Sequence, residues 1–183
     1  SEGRNINSEL IWPTTQLKVS IDQQSWSSYE PAIAEMPDNH FIHVWQDYEW
    51  GEDYSEGWIL KYSITDKLGR ITKAVTNLTT INPSPNMDTA DYSYSLAASS
   101  DGKIGITWTR YLYDSASDLY NYNIWFAILD TAGRITFGPV NLTNSNEWGN
   151  YENGNTVGVY DSRIAATNDN HFMITWNKWS QSD

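Results

Sequence analysis

Tyr29 to Tyr48 reads YEPAIAEMPDNHFIHVWQDY, Tyr92 to Tyr111 reads YSYSLAASSDGKIGITWTRY, and Tyr160 to Trp179 reads YDSRIAATNDNHFMITWNKW. The three stretches align without a gap. In each, an Ile or Leu and an Ala follow the first Tyr, and a Trp comes at one fixed spacing: Ile33 to Trp45, Leu96 to Trp108, Ile164 to Trp176. Long-period self-similarity of this kind signals a repeat architecture. Each copy holds two short apolar runs around a polar pair, Asp38-Asn39, Asp101-Gly102 or Asp169-Asn170. Asp, Asn and Gly tolerate positive φ, so the pairs predict hairpin turns. After the turn the chain alternates. Ile104, Ile106 and Trp108 share one face, as do Phe41, His43 and Trp45, and Phe172, Ile174 and Trp176. Such alternation, rich in β-branched and aromatic residues, predicts strands.

A second repeat follows the first two copies. Trp58 to Asp66 aligns with Tyr122 to Asp130, Gly69-Arg70 with Gly133-Arg134, and Asn77-Leu78-Thr79 with Asn141-Leu142-Thr143. The glycine reads as a turn position with positive φ. Each unit therefore predicts four short strands with turns after the first and third, and no stretch has a helical period. Four antiparallel strands per unit of about 65 residues fit an all-β β-propeller of four-stranded blades, here an incomplete ring of about three blades. A sandwich accommodates short strands too, but it does not require its hairpins to copy one another. The division expected is 1–28, the end of a preceding blade plus a connection; 29–79, a blade; 80–91, a connection; 92–143, a blade; 144–159, a connection; and 160–183, the first half of a further blade. Ser1-Glu2-Gly3-Arg4 matches the Gly-Arg turn, so the chain is expected to open inside a blade. The missing blades would come from a longer chain or from other copies, because open blade edges expose unpaired backbone groups.

The chain has 183 residues, no Cys, ten Trp, twelve Tyr and a formal net charge of −12. It has no apolar run of membrane-spanning length. It has no basic patch of the kind that binds nucleic-acid phosphates. Its acidity favours solubility and repels anionic lipid. Without Cys the fold uses no disulfides. The wealth of Asn, Ser, Thr, Tyr and Trp suits an extracellular or cell-surface protein.

Ser28-Tyr29-Glu30-Pro31-Ala32-Ile33-Ala34, the run Asp38-Asn39-His40-Phe41-Ile42-His43-Val44-Trp45-Gln46-Asp47, and Ile128-Leu129-Asp130-Thr131-Ala132-Gly133 resemble repeats of sialidase-like, BNR-type β-propellers of bacterial and archaeal cell-surface proteins. The resemblance implies a secreted or surface-anchored scaffold, often adhesive or carbohydrate-related. It names no activity. Ser99-Ser100-Asp101-Gly102 matches the Asp-box of such proteins only in part.

In a propeller the repeated turns lie on one face and the long, unlike connections on the other, and specific function concentrates on such loops. The connections around Asp47 to Gly57, Thr80 to Asp91, Arg110 to Asn121 and Asn144 to Val159 carry aromatic residues and carboxylates. Trp50, Tyr54, Tyr111, Tyr113, Tyr120, Trp148 and Tyr151 are the expected ligand-binding set, because aromatic faces stack on sugar rings and carboxylates accept hydroxyl hydrogen bonds. The same residue types suit protein interfaces, and they also serve simply to pack long loops. Asp47, Glu49, Asp53, Asp114 and Asp118 offer hard oxygen ligands for calcium, without the spacing of an EF-hand; no other cofactor is expected. Asn77 and Asn141 head N-glycosylation sequons that share one repeat position, so strand-end chemistry explains them equally well. Trp45, Trp108 and Trp176 read as core. The three histidines read as scaffold, and no Ser-His-Asp order or zinc spacing is present. The reading is a non-catalytic surface propeller segment that binds glycan or protein through its long-loop face. Its alternatives are a structural subunit joined through open blade edges and a glycoside-acting enzyme of sialidase-like type.

Overall fold

The computed structural model describes residues 28–50, 56–82, 84, 86–150 and 156–181. It is all-β, and among the described residues there is no helix. The strands are β1 (Ser28–Glu35), β2 (Phe41–Trp50), β3 (Glu56–Thr65), β4 (Ile71–Asn77), β5 (Met87–Ala98), β6 (Ile104–Asp114), β7 (Leu119–Leu129), β8 (Ile135–Asn141), β9 (Thr156–Ala166) and β10 (Phe172–Gln181). β1 to β4 pair antiparallel in chain order. β5 to β8 do the same, and β9 pairs with β10. A short parallel bridge, Gly57 to Thr89 and Trp58 to Ala90, joins β3 to β5. Among the described residues the result is one mixed eight-stranded sheet and one two-stranded sheet, which do not close into a ring.

The turns repeat to the hydrogen bond. Met36 N–H donates to His40 O and Asn39 N–H to Met36 O; Ser99 with Lys103 and Gly102, and Thr167 with His171 and Asn170, copy this pattern. The third turn residue has positive φ each time: Asn39 at 61°, Gly102 at 87° and Asn170 at 65°. Asp66–Arg70 and Asp130–Arg134 close the second kind of turn, on Gly69 and Gly133. The sequon threonines have one job in common. Thr79 Oγ1 accepts the Leu60 N–H at 2.9 Å and Thr143 Oγ1 accepts the Ile124 N–H at 3.1 Å, so each hydroxyl satisfies a backbone donor at the strand end.

A feature not read from the sequence also occurs three times. The residue after each repeat Tyr is left-handed: Glu30 at φ 51°, Ser93 at 49° and Asp161 at 54°. Each sits where the pairing register slips, between Tyr29 and Ala32, between Tyr92 and Ser95, and opposite Thr175 to Asn177. These are β-bulges, which add a residue to one strand and increase its twist.

Side-chain alternation assigns the faces. Ile42, Val44, Leu60, Tyr62 and Ile64 of the first unit share one buried cluster with Ile104, Ile106 and Trp108 of the second. The Trp face of the second unit thus meets the opposite face of the first. The other face of β6 carries Gly105, where an added Cβ would lie 2.7 Å from Ile164 and 2.8 Å from Phe172. β9 and β10 close onto that gap. The strands that open each unit also neighbour one another: the Ile164 N–H donates to Ser95 Oγ at 3.4 Å. At their ends, Met36, Pro37, Ser99, Ser100, Thr167 and Asn168, drawn from equivalent turns, help to border one open cavity of about 450 Å³.

Two boundaries differ from the expectation. β5 begins at Met87 and β9 at Thr156, inside the segments expected to be connections. β2, β3, β6 and β7 also extend beyond their apolar cores, so Tyr48, Glu49, Trp50, Tyr111, Tyr113 and Tyr120 are strand residues rather than loop residues. Their aromatic side chains keep the period-two pairing going where the acidic residues between them argued for loop.

Candidate functional site

The extended ends of β2, β3, β5, β6 and β7 bring aromatic rings and carboxylates into register. Trp50 pairs with Glu56, and Tyr48 with Trp58. The parallel bridge sets Gly57 against Thr89, so Glu56 and Asp88, one residue back on each strand, are neighbours. Asp88 pairs with Tyr113, and Tyr113 with Tyr120. Cross-strand partners share a face of a sheet. One row therefore reads Trp50, Glu56, Asp88, Tyr113, Tyr120. The row beside it reads Tyr48, Trp58, Ala90, Tyr111, Tyr122.

The rings form two contact clusters, one at each end of the rows. Tyr48 meets Trp58 at 4.9 Å and Trp50 at 5.7 Å, edge to face. Tyr111 meets Tyr122 at 4.9 Å and Tyr120 at 6.4 Å. Trp50 is 57% exposed, whereas Tyr120 is only 2% exposed. Gly149 roofs the Tyr120 ring, and a Cβ there would lie 2.4 Å from it. Tyr120 thus anchors the inner end of the band and Trp50 presents the outer end to solvent. The junction in the middle depends on Gly57, where a Cβ would lie 2.3 Å from the Thr89 carbonyl oxygen.

Electrostatics single out the centre of the band. Burial raises the Asp88 carboxyl above the ordinary carboxylate value, and the charge of Glu56 raises it further. Tyr48 is pushed up to about 12 by burial, by its hydrogen bond to Glu56, and by the charges of Glu56 and Asp88. Each ionised carboxylate disfavours another negative charge beside it.

The described acidic residues of the expected calcium set have partners of their own. Lys61 Nζ lies 2.9 Å from both Asp47 and Glu49, and Asp47 is 1% exposed. Burial opposes the Lys61 charge, but the two carboxylates outweigh it and the ammonium is held above its ordinary value. Asp114 accepts the Ala116 N–H at 3.0 Å and the Ser117 hydroxyl at 2.6 Å, within the turn between β6 and β7. Asp118 accepts the Tyr113 hydroxyl at 2.8 Å. Among the described residues no three His, Cys, Asp or Glu side chains gather in a way that could hold a metal ion. Tyr54, Tyr151 and Asp53 lie outside the described residues. Trp148 is 37% exposed in the connection before β9. Asn77 is exposed and offers its amide to Glu49 at 3.3 Å, whereas Asn141 accepts the Asn144 N–H at 2.7 Å. The band thus unites Trp50, Tyr111, Tyr113 and Tyr120 of the expected set and adds Tyr48, Glu56, Trp58, Asp88 and Tyr122.

A buried polar network ties the band to the core. Asp91, fully buried, accepts from Arg110 Nε and Nη2 at 2.7 Å each and from Trp108 Nε1 at 3.1 Å. The Arg110 guanidinium lies 5.0 Å from the centre of the Trp125 ring, and Gln46 donates to the Asp91 carbonyl at 3.0 Å across the two units. A second depression of about 410 Å³, bordered by Leu142, Glu147, Trp176 and Lys178 among others, lies beside β10.

No protein-family model and no curated protein matches the sequence. Among solved structures the chain is similar to an α-L-arabinanase of Penicillium chrysogenum, a structure complexed with arabinobiose, with a TM-score of 0.46 and 8% sequence identity over 81% of this chain. The chain spans 39% of that protein's length.

Proposed function

We propose that this chain is a segment of a sialidase-like, BNR-type β-propeller, extracellular or at a cell surface, that binds glycan without catalysis. The binding surface is the band from Trp50 to Tyr113. The observation that carries the reading is a pair of ring clusters, Tyr48-Trp50-Trp58 and Tyr111-Tyr120-Tyr122, with carboxylates between them, on the edge away from the short repeated turns. Exposed aromatic faces stack on the C–H faces of sugar rings, and carboxylates accept hydroxyl hydrogen bonds. Adjacent strands step by about 4.8 Å, which sets the side chains of the row about one sugar ring apart. A glycan array tests the proposal. Trp50→Ala should remove most of the signal while leaving the fold intact, since Trp50 is 57% exposed. Unchanged binding by Trp50→Ala and Tyr113→Ala would remove this surface from consideration.

One observation favours a second reading, assembly through an open edge. Among the described residues β10 pairs only with β9, whereas the equivalent β2 and β6 are each flanked on both sides. Met173 is 62%, Trp176 42% and Trp179 43% exposed on this hairpin. A sheet edge with exposed apolar residues invites strand addition, from further blades of a longer chain or from other copies. Sedimentation over a range of concentrations distinguishes the readings, and a monomer throughout counts against assembly of copies.

A further inference from the structure

Building on the assembly reading, we infer that copies of this chain join head to tail by their faces, the first unit of one copy stacking on the third unit (β9 and β10) of the next, with Ile33 against Met173. Within the chain the units stack in one fixed way. Cross-strand pairing puts Leu96 on the face of its sheet that carries Ile106, and Ala97 on the face that carries Gly105. Leu96 packs against the buried cluster that holds Ile42 and Val44 of the first unit. Ile164 repeats this one unit on, because a Cβ on Gly105 would lie 2.7 Å from it. The repeat position of Ile33, Leu96 and Ile164 thus faces the repeat position of Ile42, Gly105 and Met173 in the unit before it. Two members of that pattern have no counterpart within the stack. Ile33 pairs with His43, on the face of the first unit turned away from the second, and Met173 pairs with Ala165, on the face of the third unit turned away from the second. Ile33 is 60% and Met173 62% exposed, whereas Ile42 is 0% exposed and Leu96 and Ile164 are partly buried.

The contact between copies is therefore a continuation of the contact between units. The polar groups agree with it. Inside the chain, Ser95 Oγ accepts the Ile164 N–H at 3.4 Å. Arg163 holds the Ser95 position in the third unit, so the stack sets it beside the backbone of Ile33 in the next copy, two residues from Glu35. Among the described residues neither Arg163 nor Glu35 is ion-paired, and both are exposed, so each is available to the other. Joining like faces instead would set Glu35 against Glu35 or Arg163 against Arg163, and like charges brought together suppress an association. A head-to-tail contact closes into a ring where the rotation between copies allows and otherwise continues as a filament.

Sedimentation of Ile33→Asp, of Met173→Asp and of their equimolar mixture tests the inference on the whole chain. The unsubstituted chain should associate as its concentration rises. Each variant alone should associate at least about tenfold more weakly, because the contact would then bury an unpaired carboxylate. The mixture should recover dimers and nothing larger, since the intact Met173 face of one variant meets the intact Ile33 face of the other. Both positions are exposed, and circular dichroism checks that the variants are folded. A mixture that stays monomeric while the unsubstituted chain associates would overturn the inference. Association undiminished by Ile33→Asp would overturn it as well, and would leave strand addition along β10 standing. If the unsubstituted chain is monomeric throughout, the inference falls together with the assembly of copies.

Discussion

Residue by residue, the repeat stores strain at one position. Glu30, Ser93 and Asp161 all adopt positive φ inside a β-bulge, a conformation that costs a non-glycine residue about 1–2 kcal/mol. Glycine removes the steric cost but loses about 0.5–1 kcal/mol of backbone entropy. Ser93→Gly should therefore raise stability by about 0.5–1 kcal/mol in urea unfolding. A loss of stability would mean that the Ser93 side chain contributes more than its backbone costs. This strain was hidden in the sequence because Glu, Ser and Asp share no turn chemistry that an alignment displays. The turns at Asn39, Gly102 and Asn170 were legible for the opposite reason, since Asp-Asn and Asp-Gly solve a local steric problem locally. Trp50 and Tyr113 were legible as aromatic residues near acidic ones, but not their registry, which emerges only from pairing across strands.

At the level of elements, local patterns give the hairpins and distant contacts give the site. The strands β1–β2, β5–β6 and β9–β10 follow from alternation around a turn. The contact between β3 and β5 does not, because it depends on Gly57 having no side chain where the Thr89 carbonyl passes. No periodicity in either strand encodes that approach, and Asp88 consequently fell within a stretch read as connection. Gly57→Ala puts a Cβ against backbone that cannot swing aside, and such overpacking typically costs about 1–3 kcal/mol. Amide exchange at Trp58 and Ala90 should accelerate, and any signal on the glycan array should fall because Glu56 and Asp88 part company. Normal protection at both amides would show that the junction tolerates the methyl group and that the row does not hinge on it.

For the molecule as a whole, one repeat position takes its energetic weight from what is stacked beside it. Trp108 is 0% exposed, covered by the first unit and stacked 6.5 Å from Trp125 of its own sheet. Trp176 holds the same place in the repeat but is 42% exposed, on a hairpin that has no third strand beside it among the described residues. Trp108→Ala should cost about 3–5 kcal/mol, the usual price of emptying a large aromatic site in a core. Trp176→Ala should cost about 1 kcal/mol, because most of what it buries is partial. Equal costs would show that the exposure of Trp176 does not lower its contribution to stability. Repeating the pair of measurements at rising protein concentration separates a bare hairpin from an assembling one. If a further strand adds along β10, the Trp176→Ala cost should climb toward that of Trp108→Ala and the Trp176 emission should shift to the blue. If neither quantity moves, the exposed hairpin does not recruit other copies along β10.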